Sequence, residues 1–353
     1  MPSLQKNFDP NGKAQYNGIF GLPPDLKEPL ISILPVPWEA TCSYGTGTAL
    51  APEAILHASF QVDLEDPIFG PIWEKGIRLE PTFSWLPHLA AQARAATSGT
   101  PILPNPNSLQ RPPWATSGVS THHSIVEGLS SLRTEAVRDW VFSKLKTGRP
   151  GILGGDHSCA LGAFLALEKQ KLPFSVLQID AHFDLRDSFE GYQESHASVM
   201  FNLLKRCHHL VSLVQLGIRD FSNSELLLAE EDSKVHPHIL PLWRRSQQKG
   251  HPFSDLLDKA FEDLHSRVWV SFDIDGLDPS LCPHTGTPVP GGFSFDEASI
   301  LLEALTTKGF EILGFDLCEV SCPSNNKQPT SAWEEWDALV GARVLYKLCG
   351  ILS

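Results

Sequence analysis

Arg267-Val268-Trp269-Val270-Ser271-Phe272-Asp273-Ile274-Asp275-Gly276-Leu277-Asp278-Pro279 is the stretch that decides the fold. Its first half is a nearly unbroken apolar run, the pattern of a strand buried on both faces. Its second half sets three carboxylates just past the strand end, punctuated by Gly and Pro. Working outward, further short apolar runs read as strands: Leu30–Pro35, Gly151–Leu153, Phe174–Ile179, Val211–Leu216 and Glu311–Phe315. Helical spacing occupies Pro52–Gln61, His123–Lys146, Ser158–Lys169, His196–Lys205, Ser222–Glu231, Phe253–Leu264, Asp296–Thr307 and Trp333–Cys349. Ser294 followed by Glu297 spells a capping box. Strands alternating with helices predict an α/β protein: a single three-layer α/β/α domain around a mostly parallel sheet.

The chain has 353 residues and a net charge of −13, which argues against a broad nucleic-acid surface and suits a small cationic partner. No apolar run approaches the roughly 18 residues needed to span a bilayer, and the start lacks a basic-then-apolar leader. Seven cysteines, an odd number without a Cys-x-x-Cys pair, predict reduced thiols and a cytoplasmic location. Residues 1–29 are polar and rich in Pro and Gly, and are expected to lie on the surface or to reach a neighbouring subunit. The domain then runs over 30–353, with a proline-dense surface insert at about 97–116 ahead of a long helix.

Four segments place acidic or imidazole groups just after a strand: Gly154-Gly155-Asp156-His157-Ser158, Asp180-Ala181-His182-Phe183-Asp184, Asp273-Ile274-Asp275, and Glu319. Open α/β sheets bind ligands beyond the carboxyl ends of their strands. Taken singly, each segment has an ordinary reading. A Gly pair is commonly a tight turn, Asp-x-Asp a helix cap or Asx turn, and a lone His a satisfied core residue. Four such segments converging on one edge make a constellation. Asp and His donors without Cys suit Mn, Co, Ni, Fe or Zn. The carboxylates are too many for one ion, so two divalent ions are expected, able to lower the pKa of a shared water towards neutrality.

At these residues the sequence resembles the ureohydrolase superfamily of arginases and agmatinases. The resemblance rests on Gly-Gly-Asp-His-Ser at 154–158, Asp-Ala-His-x-Asp at 180–184, the nonapeptide 271–279, Gly286-Thr287-Pro288 and Gly291-Gly292. It implies the arginase-type fold and a binuclear manganese centre, with Co, Ni or another divalent ion as alternatives. One metal would be held by His157, Asp180, Asp184 and Asp273, and the other by Asp180, His182, Asp273 and Asp275. The resemblance further implies that His196 transfers a proton or orients substrate and that Glu319 holds the guanidinium, with Thr287, Asp220 and Arg186 as further substrate contacts. The implied reaction is attack by a metal-bridging hydroxide on the guanidinium carbon, giving urea and an amine. A homotrimer or homohexamer is also implied.

The loop Asp184-Leu185-Arg186-Asp187-Ser188-Phe189-Glu190-Gly191, with Ser195-His196-Ala197-Ser198-Val199-Met200, looks like the agmatinase branch, and so does the stretch from Pro37 to Ala49. Two departures stand beside it. Leu50-Ala51-Pro52-Glu53 replaces a segment that often carries Arg, and Gly217-Ile218-Arg219-Asp220 is closer to arginases, where the Asp meets an α-amino group. Agmatine, giving putrescine and urea, is therefore the first expected substrate. Arginase, guanidinobutyrase, guanidinase and formimidoylglutamase are the alternatives. A silent homologue acting as a binding protein is the alternative from another class. The complete set of six ligands and Glu319 speaks against silence.

Overall fold

The computed structural model describes residues 8–14, 17–24, 28–42, 45–97, 115–322 and 336–352. Among these, eight strands form one parallel sheet: β1 (Ile31–Val36), β2 (Ile77–Leu79), β3 (Arg149–Gly154), β4 (Phe174–Ile179), β5 (Leu210–Leu216), β6 (Val235–His238), β7 (Arg267–Asp273) and β8 (Glu311–Cys318). Their order across the sheet is β2-β1-β3-β8-β7-β4-β5-β6. The helices are α1 (Ala51–Ala58), α2 (Leu86–Thr97), α3 (Ala115–Lys144), α4 (Leu161–Gln170), α5 (Val199–Arg206), α6 (Asn223–Glu231), α7 (Leu240–Gln248), α8 (Phe253–Phe261), α9 (Phe295–Thr307) and α10 (Trp336–Gly350).

The inner strands β1 and β4 are buried at every residue, as helices on both faces require. One face packs against Ile55, Trp243, Leu257, Leu301 and Val344, from α1 and α7 to α10. The other packs against Ala93, Val137, Phe164, Leu203 and Ala229, from α2 to α6. This is the three-layer α/β/α architecture.

Four elements were not legible in the chain: β2, β6, α2 and α7. β2 is only three residues long and pairs on one side. β6 reads Val-His-Pro-His, and its proline is tolerated because the strand lies at the sheet edge. The helix read from Ser158 begins instead with a 3-10 turn, His157–Ala160, before α4. The one read from His196 likewise opens with the turn His196–Ser198 before α5. Part of the N-terminal stretch goes inside rather than onto the surface. Ile19, Phe20 and Leu22 are buried against the α10 side of the core, where Phe20 meets Tyr346 edge-on. The proline-dense stretch falls mostly on residues 98–114, outside the described residues.

The Gly154-Gly155 pair is not a left-handed turn, since neither residue has a positive φ. Its second glycine is required by close approach instead: a Cβ on Gly155 would lie 1.8 Å from the Trp38 carbonyl oxygen. The next amide, Asp156 N–H, donates to that same oxygen at 2.8 Å. Gly155→Ala is therefore expected to destabilise the fold by about 1–3 kcal/mol through overpacking, read as a fall in the urea unfolding midpoint.

Candidate metal centre and substrate pocket

The four acidic segments follow β3, β4, β7 and β8, and the strand order makes these four neighbours, β3-β8-β7-β4. Their loops therefore converge at the carboxyl edge of the sheet centre. His157 Nδ1 lies 3.1 Å from Asp180, 2.9 Å from Asp184 and 3.4 Å from Asp273. His182 Nδ1 lies 3.0 Å from Asp275 and 3.6 Å from Asp180. Two groups thus have the spacing of metal ligands, His157 with Asp180 and Asp273, and Asp180 with His182 and Asp275. They share Asp180.

Backbone geometry aims these groups. Asp273 Oδ1 accepts Asp275 N–H at 2.9 Å, and Asp275 Oδ1 accepts Ala181 N–H at 3.0 Å, tying β7 to β4. Asp180 Oδ1 accepts His182 N–H at 2.7 Å, and Gln178 Nε2 donates to Asp180 Oδ2 at 2.6 Å. Asp184 and Glu319 hold left-handed φ values of 55° and 61°. Such strain in non-glycine residues gathers at functional sites. For Asp184, the start of α5 holds the carbonyl through the N–H groups of Met200 and Phe201, both at 3.1 Å.

The electrostatics show what the cluster lacks. Burial and the Asp180 charge push the Asp184 carboxyl up to about 7. Burial, with Asp275 and Asp180, pushes Asp273 well above the usual range. Burial opposes charge on His182, but Asp275 and Asp180 outweigh it and raise the ring to about 12. The side chains would hold one another by taking up protons, and divalent cations would supply that positive charge instead.

The His157 tautomer points the same way. Ser271 Oγ donates to Asp316 Oδ1 at 2.8 Å, and Trp269 Nε1 donates to Asp316 Oδ2 at 2.6 Å. Ser271 has then used its proton, so at 2.9 Å it accepts from His157 Nε2–H. His157 Nδ1 is then the ring atom that faces three carboxylates; burial opposes charge there, but Asp180 and Asp184 outweigh it and hold the ring well above the usual imidazole range. A cation could take the place of that proton, and the Asp/His donor set fits a transition metal. Asn at 316 can accept from only one of its two donors. Asp316→Asn should therefore weaken metal binding about 10–100-fold, measured by competition with a chelating dye.

A cavity of about 630 Å³ opens above the cluster. It brings together His157, His182, Asp184, Asp273, Asp275, Glu319, His196, Arg186, Asp220 and Thr287; Asp180, common to both ligand groups, is buried and does not line it. Glu319 Oε1 accepts His157 N–H at 2.8 Å. Burial, then Asp156, pushes its carboxyl well above the usual range. Burial lowers the His196 ring, whose Nδ1 lies 3.4 Å from Thr41 Oγ1. Thr287 Oγ1 donates to Asp275 at 3.4 Å.

Among the lining residues that the sequence reading did not assign are Glu225 and Phe189. Glu225 is buried and lies 3.5 Å from Arg186 Nε, and Phe189 lies under the Arg186 guanidinium at 4.9 Å. Glu225 was legible as half of a capping box with Ser222, which the structure forms. Nothing local places that box in the pocket wall. Two further histidines lie apart from the cluster: His284 is bonded to Asp337 at 3.0 Å, and His57 lies on the surface.

The arginase family model matches residues 30–350. An N(1)-aminopropylagmatine ureohydrolase of Thermus thermophilus is 32% identical over 296 residues, 84% of each chain. An agmatinase of Pyrococcus horikoshii is 29% identical over 298 residues, 84% of this chain and 86% of its own. Among solved structures, the agmatine ureohydrolase of Thermoplasma volcanium superposes with a TM-score of 0.65 at 22% identity, covering 92% of this chain and 90% of its own, a likeness of fold. The matched span contains all four strand-end loops and the cavity above them, and the chain belongs to the arginase family, within its agmatinase branch of amidine hydrolases.

Proposed function

We propose that the protein hydrolyses agmatine to putrescine and urea with two divalent cations, Mn²⁺ foremost, held by His157, Asp180, His182, Asp184, Asp273 and Asp275. When bound, such a pair lowers the pKa of water towards neutrality and so supplies a nucleophile at pH 7. The chain's own residues do the rest. Glu319 keeps Oε1 on the His157 amide and offers its other oxygen to the guanidinium N–H groups. A neutral His196 that donates Nδ1–H to Thr41 keeps Nε2 free to carry a proton to the departing amine.

The observation that carries the substrate choice is the state of Arg186. It is the cation placed to hold a substrate carboxylate, yet Glu225 and the Phe189 ring already engage it. Asp220, exposed at the same end, bonds Ala181 through its backbone N–H, while its carboxylate has no hydrogen-bond or ion-pair partner among the described residues and is left to receive an amine. A dication with a guanidinium at one end and an ammonium at the other matches Glu319 and Asp220. Urea release from a panel of guanidino compounds tests this. The cavity, about 630 Å³, is roomy for agmatine and supports a second reading, a longer polyamine tail. The Thermus thermophilus relative is named for such a substrate.

No helix among the described residues is long and apolar enough to cross a membrane. All seven cysteines are free, which supports a reducing, cytoplasmic location.

A further inference from the structure

We propose that His123 and Glu127 of α3 are positioning residues that brace the tail-binding wall of the pocket. That wall is a two-residue hairpin. Phe189 and Tyr192 exchange backbone hydrogen bonds of 3.0 and 2.9 Å, with Glu190 at φ 52° and Gly191 at φ 90° between them. Two positive φ values suit the twist of such a turn, but Glu190 disfavours the left-handed region. A lone two-stranded hairpin is also marginal in water. The turn therefore needs an outside hold, and α3 supplies one. The His123 ring stacks on Tyr192 at 4.9 Å and 9°, and His123 Nε2–H donates to the Gly191 carbonyl. Glu127 Oε1 accepts Gln193 N–H at 2.6 Å and lies 3.9 Å from His123 Nε2.

The same hairpin also meets the cavity, through Phe189. Phe189 lies under Arg186 at 4.9 Å and meets the His196 ring edge-on at 5.4 Å. The base of the loop is held separately: Glu194 accepts from Thr134 at 2.7 Å and from Arg206 at 2.8 Å. The guanidinium end of the site stands on strand ends, whereas the tail end stands on this braced turn. Loss of the brace should therefore loosen substrate binding more than chemistry.

The test compares metal-loaded full-length wild type with His123→Ala, Glu127→Ala and the conservative variants His123→Gln and Glu127→Gln. Hydrogen exchange of the peptide covering 186–196 and steady-state urea release from agmatine are both followed. The alanine variants are expected to speed exchange at Tyr192 and Gln193 about tenfold and to raise KM about three- to tenfold. That is the size of one lost hydrogen bond, and kcat should stay within about twofold. The conservative variants should restore most of both. Unchanged exchange overturns the proposal, and so does a fall in kcat with KM unmoved. The activity arm rests on the agmatine reading. If wild type releases no urea from agmatine, that reading fails, and the exchange result alone decides the brace.

Discussion

Stripped of metal, the protein is expected to release no urea, and Asp180→Asn is expected to stay inactive when metal is returned. Asp180 is the residue common to both ligand groups. Its charge also sets the cluster: burial raises its carboxyl, but His157 and His182 outweigh that and hold it below the usual carboxylate range. Asn keeps the shape but can accept from only one of the two donors, Gln178 Nε2–H and His182 N–H, and it removes the charge that two cations would share. The loss should exceed the roughly 10²–10⁴-fold expected for His196→Ala, which on the proposed mechanism removes proton transfer alone. Asp273→Ala should fall in the same class as Asp180→Asn. Mn²⁺ should restore chelated wild type better than Mg²⁺, because imidazole donors favour transition metals. Urea release and elemental analysis read this together, with about two ions per chain expected in active protein. Full activity after chelation, or a dead His196→Ala beside a near-normal Asp273→Ala, would overturn the assignment.

Agmatine is expected to outrun arginine in kcat/KM by on the order of a hundredfold or more. The physical reason lies at the tail end of the pocket. An arginine α-carboxylate would enter beside Glu225 and Asp220, and its one cationic partner, Arg186, is already paired with Glu225 at 3.5 Å. A desolvated, unpaired carboxylate commonly costs several kcal/mol, and about 2.7 kcal/mol is already a hundredfold. Initial rates for agmatine, arginine, 4-guanidinobutyrate and guanidine under one Mn²⁺ loading decide the matter. If arginine matches agmatine, the substrate proposal fails and the amidine-hydrolase assignment stands. If guanidinobutyrate wins, Arg186 has left Glu225 for the substrate, and Arg186→Ala should reduce that preference.

The proposed donor set could be read from the chain because its physics is local. Asp and His at strand ends are marked by the apolar runs before them, and the alternation of strand and helix implies the parallel sheet. The same locality explains what stayed hidden. β2 and β6 are short edge strands, and one carries a proline, so neither needs the continuous apolar pattern that two buried faces demand. Ile19 and Phe20 sit in a polar stretch, and only the groove beside α10 turns them into core.

Chain order alone marked three motifs and Glu319, each at the end of a strand, as the candidates for the chemistry. Tertiary structure decided how they meet. β8 lies between β3 and β7, so the last strand in the chain brings Glu319 beside His157, a contact across 162 positions. It also decided the cavity wall proposed to set specificity, where Arg186 turns to Glu225 and α3 grips the hairpin at Gly191. Ion pairs and hydrogen bonds between distant segments depend on distance and burial, which follow from how helices pack on a sheet. Strand-end motifs depend on nearest neighbours, which a sequence already contains.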